Sequence, residues 1–129
     1  MAEKDVIRTD RAPGPFQGAP YNQAIRVGDL VFVAGQLGIG LETGVLAGAG
    51  VAEQTEQIMA NLGAILEAAG SGLDRLVKTT VFLMDLGDFA AMNDVYATEF
   101  PNGGPARTTI GVADLPGDNF VEIRAVALA

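Results

Sequence analysis

The chain contains no cysteine and no histidine in 129 residues. Without cysteine there is no disulfide, no thiol nucleophile and no thiolate metal site. Without histidine the commonest general base and the commonest metal ligand are both missing. The acidic residues show no calcium-loop spacing, so no metal is expected. Basic residues are also scarce: 8 Lys and Arg stand against 16 Asp and Glu, for a net charge of −8 and an isoelectric point near 4.2. The eight cations are dispersed, and a surface of this kind repels nucleic acid and anionic membranes. No apolar run approaches the length of a transmembrane helix. The charged start, Met1-Ala2-Glu3-Lys4-Asp5, has no apolar signal region, so the sequence reads as that of a cytoplasmic protein. Chemistry here must rest on carboxylates, arginine, hydroxyls, backbone groups and water.

Apolar residues, by contrast, are abundant. The chain is 49% hydrophobic and 19% charged, which is more apolar surface than one small domain spanning residues 1–129 easily hides. At this size about 6,500 Å² stays exposed after folding, so a subunit interface is expected to take the excess. A trimer would carry −24, three times −8.

Periodicity predicts the elements. Val6 to Thr9 reads as a short strand, and Arg11 to Pro20, with three prolines, as an ordered loop. Ala24 to Val27 and Leu30 to Ala34 flank Gly28-Asp29, a strong hairpin signal. The glycine-rich stretch from Leu37 to Gly50 fits neither a Walker loop nor a dinucleotide fingerprint and reads as a loop. Val51, Ile58, Met59, Leu62, Ile65, Leu66 and Ala69 recur at helical spacing, with Gly70 as a natural stop and Glu53, Glu56 and Glu67 towards solvent. Leu76 to Met84 reads as a buried central strand. Asp88 would cap a second helix with Phe89, Met92, Tyr96 and Phe100 on its inner face, and Pro101 to Pro105 ends it. Two more strands follow, around Arg107 and around Glu122. The order β, ββ, α, β, α, ββ predicts an α+β protein: a mixed sheet of about six strands with two helices packed on one face.

Two charged residues lie inside the last two strand patterns. Arg107 sits in Pro105-Ala106-Arg107-Thr108-Thr109-Ile110-Gly111-Val112, and Glu122 in Val121-Glu122-Ile123-Arg124-Ala125. A guanidinium in a half-buried strand is costly unless it holds an anion, and its planar fork suits a carboxylate. A structural ion pair with one of the 16 acids explains it as well. Glu122 reads either as a rim carboxylate paired to Arg107 or Arg124, or as a general base if burial raises its pKa. Alternation places Arg124 on the same face, where its charge lowers that pKa.

Pro-Ala-Arg-Thr-Thr, the turn Leu115-Pro116-Gly117-Asp118 and Val-Glu-Ile together resemble the C-terminal signature of the RidA (YjgF) family of enamine/imine deaminases. The resemblance extends over nearly the whole chain. Ala19-Pro20-Tyr21-Asn22-Gln23-Ala24 is similar to the family's Gly-Pro-Tyr-Ser-Gln-Ala stretch, with Ala19 for glycine and Asn22 for serine, while Gly14-Pro15-Phe16 offers a competing alignment. Gly35, in Ala34-Gly35-Gln36, matches the glycine whose backbone faces the ligand. Asn93 matches a pocket-edge asparagine. The family usually has an acidic residue where this chain has Arg124. Lys78 also matches a family lysine, one that forms no Schiff base.

The resemblance implies a chorismate-mutase-like fold and homotrimers with sites in clefts between subunits. It implies no cofactor. Arg107 would clamp the carboxylate of a small 2-imino acid, with Thr109 as a second contact, and Glu122 would hold the attacking water. Gly35, Tyr21 and Asn93 would shape the pocket, Tyr21 from the neighbouring subunit. The reaction implied is hydrolysis of 2-imino acids, formed from enamines such as 2-aminoacrylate and 2-aminocrotonate, to 2-oxo acids and ammonia. For the family this is damage control, because free 2-aminoacrylate attacks PLP enzymes. Two alternatives stay open, a specialised catabolic deaminase of the aminoacrylate or aminomuconate type and a non-catalytic 2-oxo-acid-binding protein or holdase. An endoribonuclease, a label some members carry, is disfavoured by the acidity, the missing histidine and the lack of a basic patch.

Overall fold

A computed structural model describes residues 3–129. Six strands form one sheet: β1 (Lys4–Ile7), β2 (Ala24–Val27), β3 (Leu30–Leu37), β4 (Leu76–Leu83), β5 (Ala106–Gly111) and β6 (Val121–Leu128). Their order across the sheet is β1-β2-β3-β6-β4-β5, with only the β4–β5 pair parallel. The helices α1 (Val51–Ala68) and α2 (Phe89–Ala97) pack on one face. The expected α+β architecture is thus present, and the last strand is driven between β3 and β4.

Local chemistry sets the elements. Gly28 adopts φ 57°, the left-handed conformation that a two-residue hairpin turn requires. Helix α1 buries Ile58, Met59, Leu62, Ile65 and Leu66 against the inner sheet face, where Val31, Val81, Val121 and Ile123 are fully buried. Its end is a Schellman motif: Gly70 at φ 78° donates to the Glu67 carbonyl, and Ser71 N donates to the Leu66 carbonyl at 2.8 Å. At its start Glu53, solvent-exposed as expected, also caps the helix. Its carboxylate accepts from the Gly50 backbone N–H at 2.9 Å, tying off an otherwise unpaired donor.

Two expectations shift. The first strand runs Lys4–Ile7 and stops before Thr9. The buried Gln23 side chain takes both backbone groups of Thr9, accepting from its N–H and donating to its carbonyl, so Thr9 has no free groups for a sheet ladder. Asp88 occupies the N-cap position of α2 without capping it; Asp85 caps the preceding turn instead, accepting from Gly87 N at 2.8 Å.

Gln23 also donates to the carbonyls of Ala12 and Pro13, and so fastens the proline-rich loop to β2. Replacing Gln23 with Ala strands several backbone groups in a site that is 5% exposed. We expect a loss of about 2 kcal/mol, lowering Tm by roughly 8 °C for a domain of this size. Calorimetry checks it; a Tm within a degree of wild type would mean water takes over the loop's hydrogen bonds.

The second sheet face is bare. Val6, Phe32, Ile110 and Leu128 point away from the helices and are 42–46% exposed. Strand β4, expected to be buried throughout, therefore buries Thr79, Val81 and Leu83 on the helix side and leaves Lys78 exposed on the other.

Candidate active site

The inserted strand decides where the charged residues go. Residues in register across neighbouring strands share a sheet face. Arg107 pairs with Thr79 of β4, and Thr79 pairs with Ala125 of β6. Glu122 pairs with Phe82, three residues further along β4 and so on the opposite face. Arg107 and Thr109 consequently lie on the helix-bearing face, and Glu122 and Arg124 on the bare one. Within one chain the sheet separates the guanidinium from the carboxylate.

On the helix side, Arg107 stacks between two rings of α2. Its guanidinium carbon lies 4.9 Å from the Tyr96 ring centre and 5.5 Å from that of Phe89. This geometry orients the fork and stabilises its charge without using its donors. Arg107 makes no side-chain hydrogen bond and no ion pair among the described residues, where the one ion pair joins Arg11 to Glu67. Tyr96 is anchored by a 2.7 Å hydrogen bond between its hydroxyl and that of Thr79. Asn93 lies on α2 between the two stacked residues, and its side-chain oxygen is buried with no hydrogen-bond partner. Thr109, half-buried, follows two residues after Arg107 on the same face.

On the bare side, Glu122 lines a cavity of about 350 Å³ with Phe16, Tyr21, Ala34, Gly35 and Pro116. Burial pushes its carboxyl above the usual glutamate range, and the nearby Arg124 charge only partly opposes this. Glu122 bonds neither Arg107 nor Arg124. Tyr21 and Phe16, rival candidates in the sequence, both line this cavity, and the Tyr21 hydroxyl accepts from the Phe16 backbone N–H at 2.6 Å. A larger cavity of about 550 Å³ adjoins it, sharing Phe16, Tyr21, Gly35 and Leu37.

Gly35 has a specific role. Ladder register slips between Val33 and Gln36, so Ala34 and Gly35 together face Arg124, a β-bulge beside the site. A Cβ at Gly35 would lie 2.5 Å from one Glu122 carboxylate oxygen and 2.8 Å from its carboxyl carbon. The missing side chain is the space the Glu122 head occupies. We expect Gly35→Ala to push that carboxylate aside and lower turnover about tenfold or more while Tm changes little, since the obstructing atoms end a flexible chain. Unchanged kcat in the folded variant would show the position of Glu122 to be unimportant.

The six expected residues thus divide into two sets: Tyr21, Gly35 and Glu122 on one face, and Asn93, Arg107 and Thr109 on the other. Tyr21 goes with Glu122, so it is Arg107 that lies across the divide. Phe89 and Tyr96 were read from the sequence only as the inner face of a helix. Their spacing of seven residues on α2, opposite a strand arginine, was the available signal for the stack.

A mixed sheet with both helices on one side, and polar half-sites on each face, defines a small α+β protein of the chorismate-mutase-like type. The chain belongs to the endoribonuclease L-PSP family, the RidA/YjgF proteins, whose family description matches residues 11–129. It is 48% identical over 124 residues to a RutC family protein of Pyrococcus abyssi, covering 96% of each chain. It is 42% identical over 125 residues to the 2-iminobutanoate/2-iminopropanoate deaminase of Mus musculus, covering 97% of this chain and 91% of the mouse protein. The crystal structure of Escherichia coli TdcF with bound serine superposes with a TM-score of 0.89 at 38% identity, over 97% of this chain and 98% of that one. No helix among the described residues is long and apolar enough to cross a membrane.

Proposed function

We propose that the protein hydrolyses small 2-imino acids to 2-oxo acids and ammonia, in sites completed between copies of the chain. The observation that carries this reading is the pair of uncommitted charges: a ring-stacked Arg107 with no anion, and a Glu122 whose pKa burial raises. The relative named for the same deamination supports it. The bound serine of TdcF supports a small amino-acid-like ligand. A homotrimer is the assembly proposed, because the bare face exposes Val6, Phe32, Ile110 and Leu128 and a closed ring buries such a face in every subunit.

In this reading Arg107 of one copy grips the substrate carboxylate through two parallel hydrogen bonds, and Thr109 supplies a further contact. Asn93, on α2 between the two stacked rings in sequence, lies on the same side of the sheet as Arg107. Glu122 of a second copy takes a proton from a water as the water oxygen bonds to the imine carbon. The electron pair of the C=N bond moves to nitrogen, giving a tetrahedral carbinolamine. Glu122 returns that proton to nitrogen, then takes the hydroxyl proton and passes it to the same nitrogen, so that the C–N bond breaks as the C=O bond forms and ammonia departs from the 2-oxo acid. A raised pKa suits a carboxyl that must both accept and donate a proton near neutrality. The chemistry of these steps needs no cofactor.

The test is a coupled assay in which a threonine or serine dehydratase releases the enamine and 2-oxo acid appearance is followed. Acceleration by wild type, lost in Arg107→Ala, supports the reading. No acceleration by either protein would leave a ligand-binding protein that uses the same clefts.

A further inference from the structure

On the bare face, beside the Glu122 cavity, lies a further concavity of about 600 Å³. Lys4, Lys78 and Arg124 line it, and no acidic residue does. Three of the eight cations of a chain with net charge −8 have therefore gathered in one hollow. Like charges held together are unfavourable unless something anionic offsets them, and the nearest carboxylate, Glu122, lies in the adjoining cavity and makes no ion pair with them. Neither Lys78 nor Arg124 makes an ion pair among the described residues. The Arg124 guanidinium is held 5.5 Å from the centre of the Phe82 ring. Phe82 is the cross-strand neighbour of Glu122, so the guanidinium leans towards the catalytic row. The opposite neighbour of Arg124 is Thr80, whose side chain lines the same hollow.

The two cavities are continuous: Tyr21 and Ala34 line both. Glu122 and Arg124 are two residues apart on one strand face, a separation of about 7 Å at the backbone. A substrate whose imine carbon sits at Glu122 can thus extend a second group to Arg124.

We propose that Arg124, with Lys78 and Lys4 behind it, forms a distal anion subsite that selects 2-imino acids bearing a second carboxylate. This rests on the deaminase reading above and specifies its substrate class. Arg107 takes the carboxylate next to the imine, and Arg124 takes the one at the far end. In the proposed assembly this face meets a second copy, which limits water around the subsite and strengthens its hold on an anion.

Two measurements test it. The first is equilibrium binding of stable 2-oxo acids by calorimetry at low ionic strength, comparing 2-oxoglutarate with 2-oxobutanoate and with inorganic phosphate. We expect 2-oxoglutarate to bind about tenfold or more tightly than 2-oxobutanoate, and Arg124→Gln to erase most of that ratio while Arg124→Lys keeps part of it. The second is the kcat/KM ratio for the imines of glutamate and alanine, generated in situ by an amino-acid oxidase. Because any effect of Arg124 on Glu122 acts on both imines alike, the ratio isolates the subsite, and Arg124→Gln should lower it about tenfold. Equal binding of the two oxo acids by wild type, or a ratio that Arg124→Gln leaves unchanged, overturns the subsite. Phosphate binding as tight as 2-oxoglutarate and equally dependent on Arg124 would make the hollow a free-anion site instead. If neither imine is hydrolysed the deaminase reading fails, yet the calorimetric ratio still judges the subsite.

Discussion

Arg107→Ala should remove roughly 30- to 1,000-fold from kcat/KM for imine hydrolysis, the cost of losing about 2–4 kcal/mol of charge-assisted carboxylate binding. The same variant should keep its melting temperature within about 4 °C. Arg107 holds no acidic partner among the described residues, so its removal leaves no buried counter-charge behind, and what disappears is a stack on Tyr96 and Phe89 worth about 1 kcal/mol. Arg107→Lys should recover little. An ammonium replaces the planar fork that is oriented by the two rings, and it cannot make two parallel bonds to a carboxylate. This separates the two explanations the sequence left open for Arg107. A structural arginine would lose stability with little change in rate; an anion-binding one loses rate with little change in stability. Steady-state kinetics on folded variants, paired with calorimetry, distinguishes them.

Local signals in the chain were readable because each depends on neighbours in sequence. The helical spacing from Val51 to Ala69 with Gly70 beyond it, and Gly28-Asp29 between two β-rich runs, both specify their elements within a few residues. The arrangement of the half-sites depends on a pairing no local pattern encodes. Strand β6 lies between β3 and β4, with long-range ladders to each, and that insertion sets Arg107 and Glu122 on opposite faces. Alternation along each strand gave the relative facing of Glu122 and Arg124, but not that of residues on different strands. Buried polar residues were illegible for a similar reason. Gln54, fully buried, donates to the Gly48 carbonyl and accepts from the Phe120 N–H. Asn61 donates to the carbonyls of Leu37 and Ile39. In the sequence these are polar residues of an amphipathic helix; in the fold they hold the loops that wall the site. In the sequence Gly35 matched a glycine whose backbone faces a ligand, and only the fold places the Glu122 carboxylate where a Gly35 side chain would stand.

The separation of the half-sites gives the second large effect its particular form. Glu122→Gln alone should lower kcat about 10²- to 10⁴-fold, because the amide cannot take the proton from water. It should not destabilise the fold. The native pKa of Glu122 lies above its unfolded value, so above the unfolded pKa the unfolded chain releases this proton more readily, and stability falls as pH rises towards the native pKa. Glutamine has no such proton to lose, and Glu122→Gln should melt at or above the wild-type temperature at pH 7. The acidic limb of the wild-type pH–rate profile should vanish with it, leaving a flat residual rate. Mixing then tests how the halves combine. In a ring where each site takes Arg107 from one subunit and Glu122 from the next, an equal mixture of Arg107→Ala and Glu122→Gln chains, unfolded and refolded together, draws each half at random. Half of the chains bring an intact Arg107 and half an intact Glu122, so about one site in four is whole and the mixture should regain roughly a quarter of wild-type activity. If both residues served one site from the same chain, no mixture would contain an intact pair, and the refolded sample would stay as inactive as its two parents.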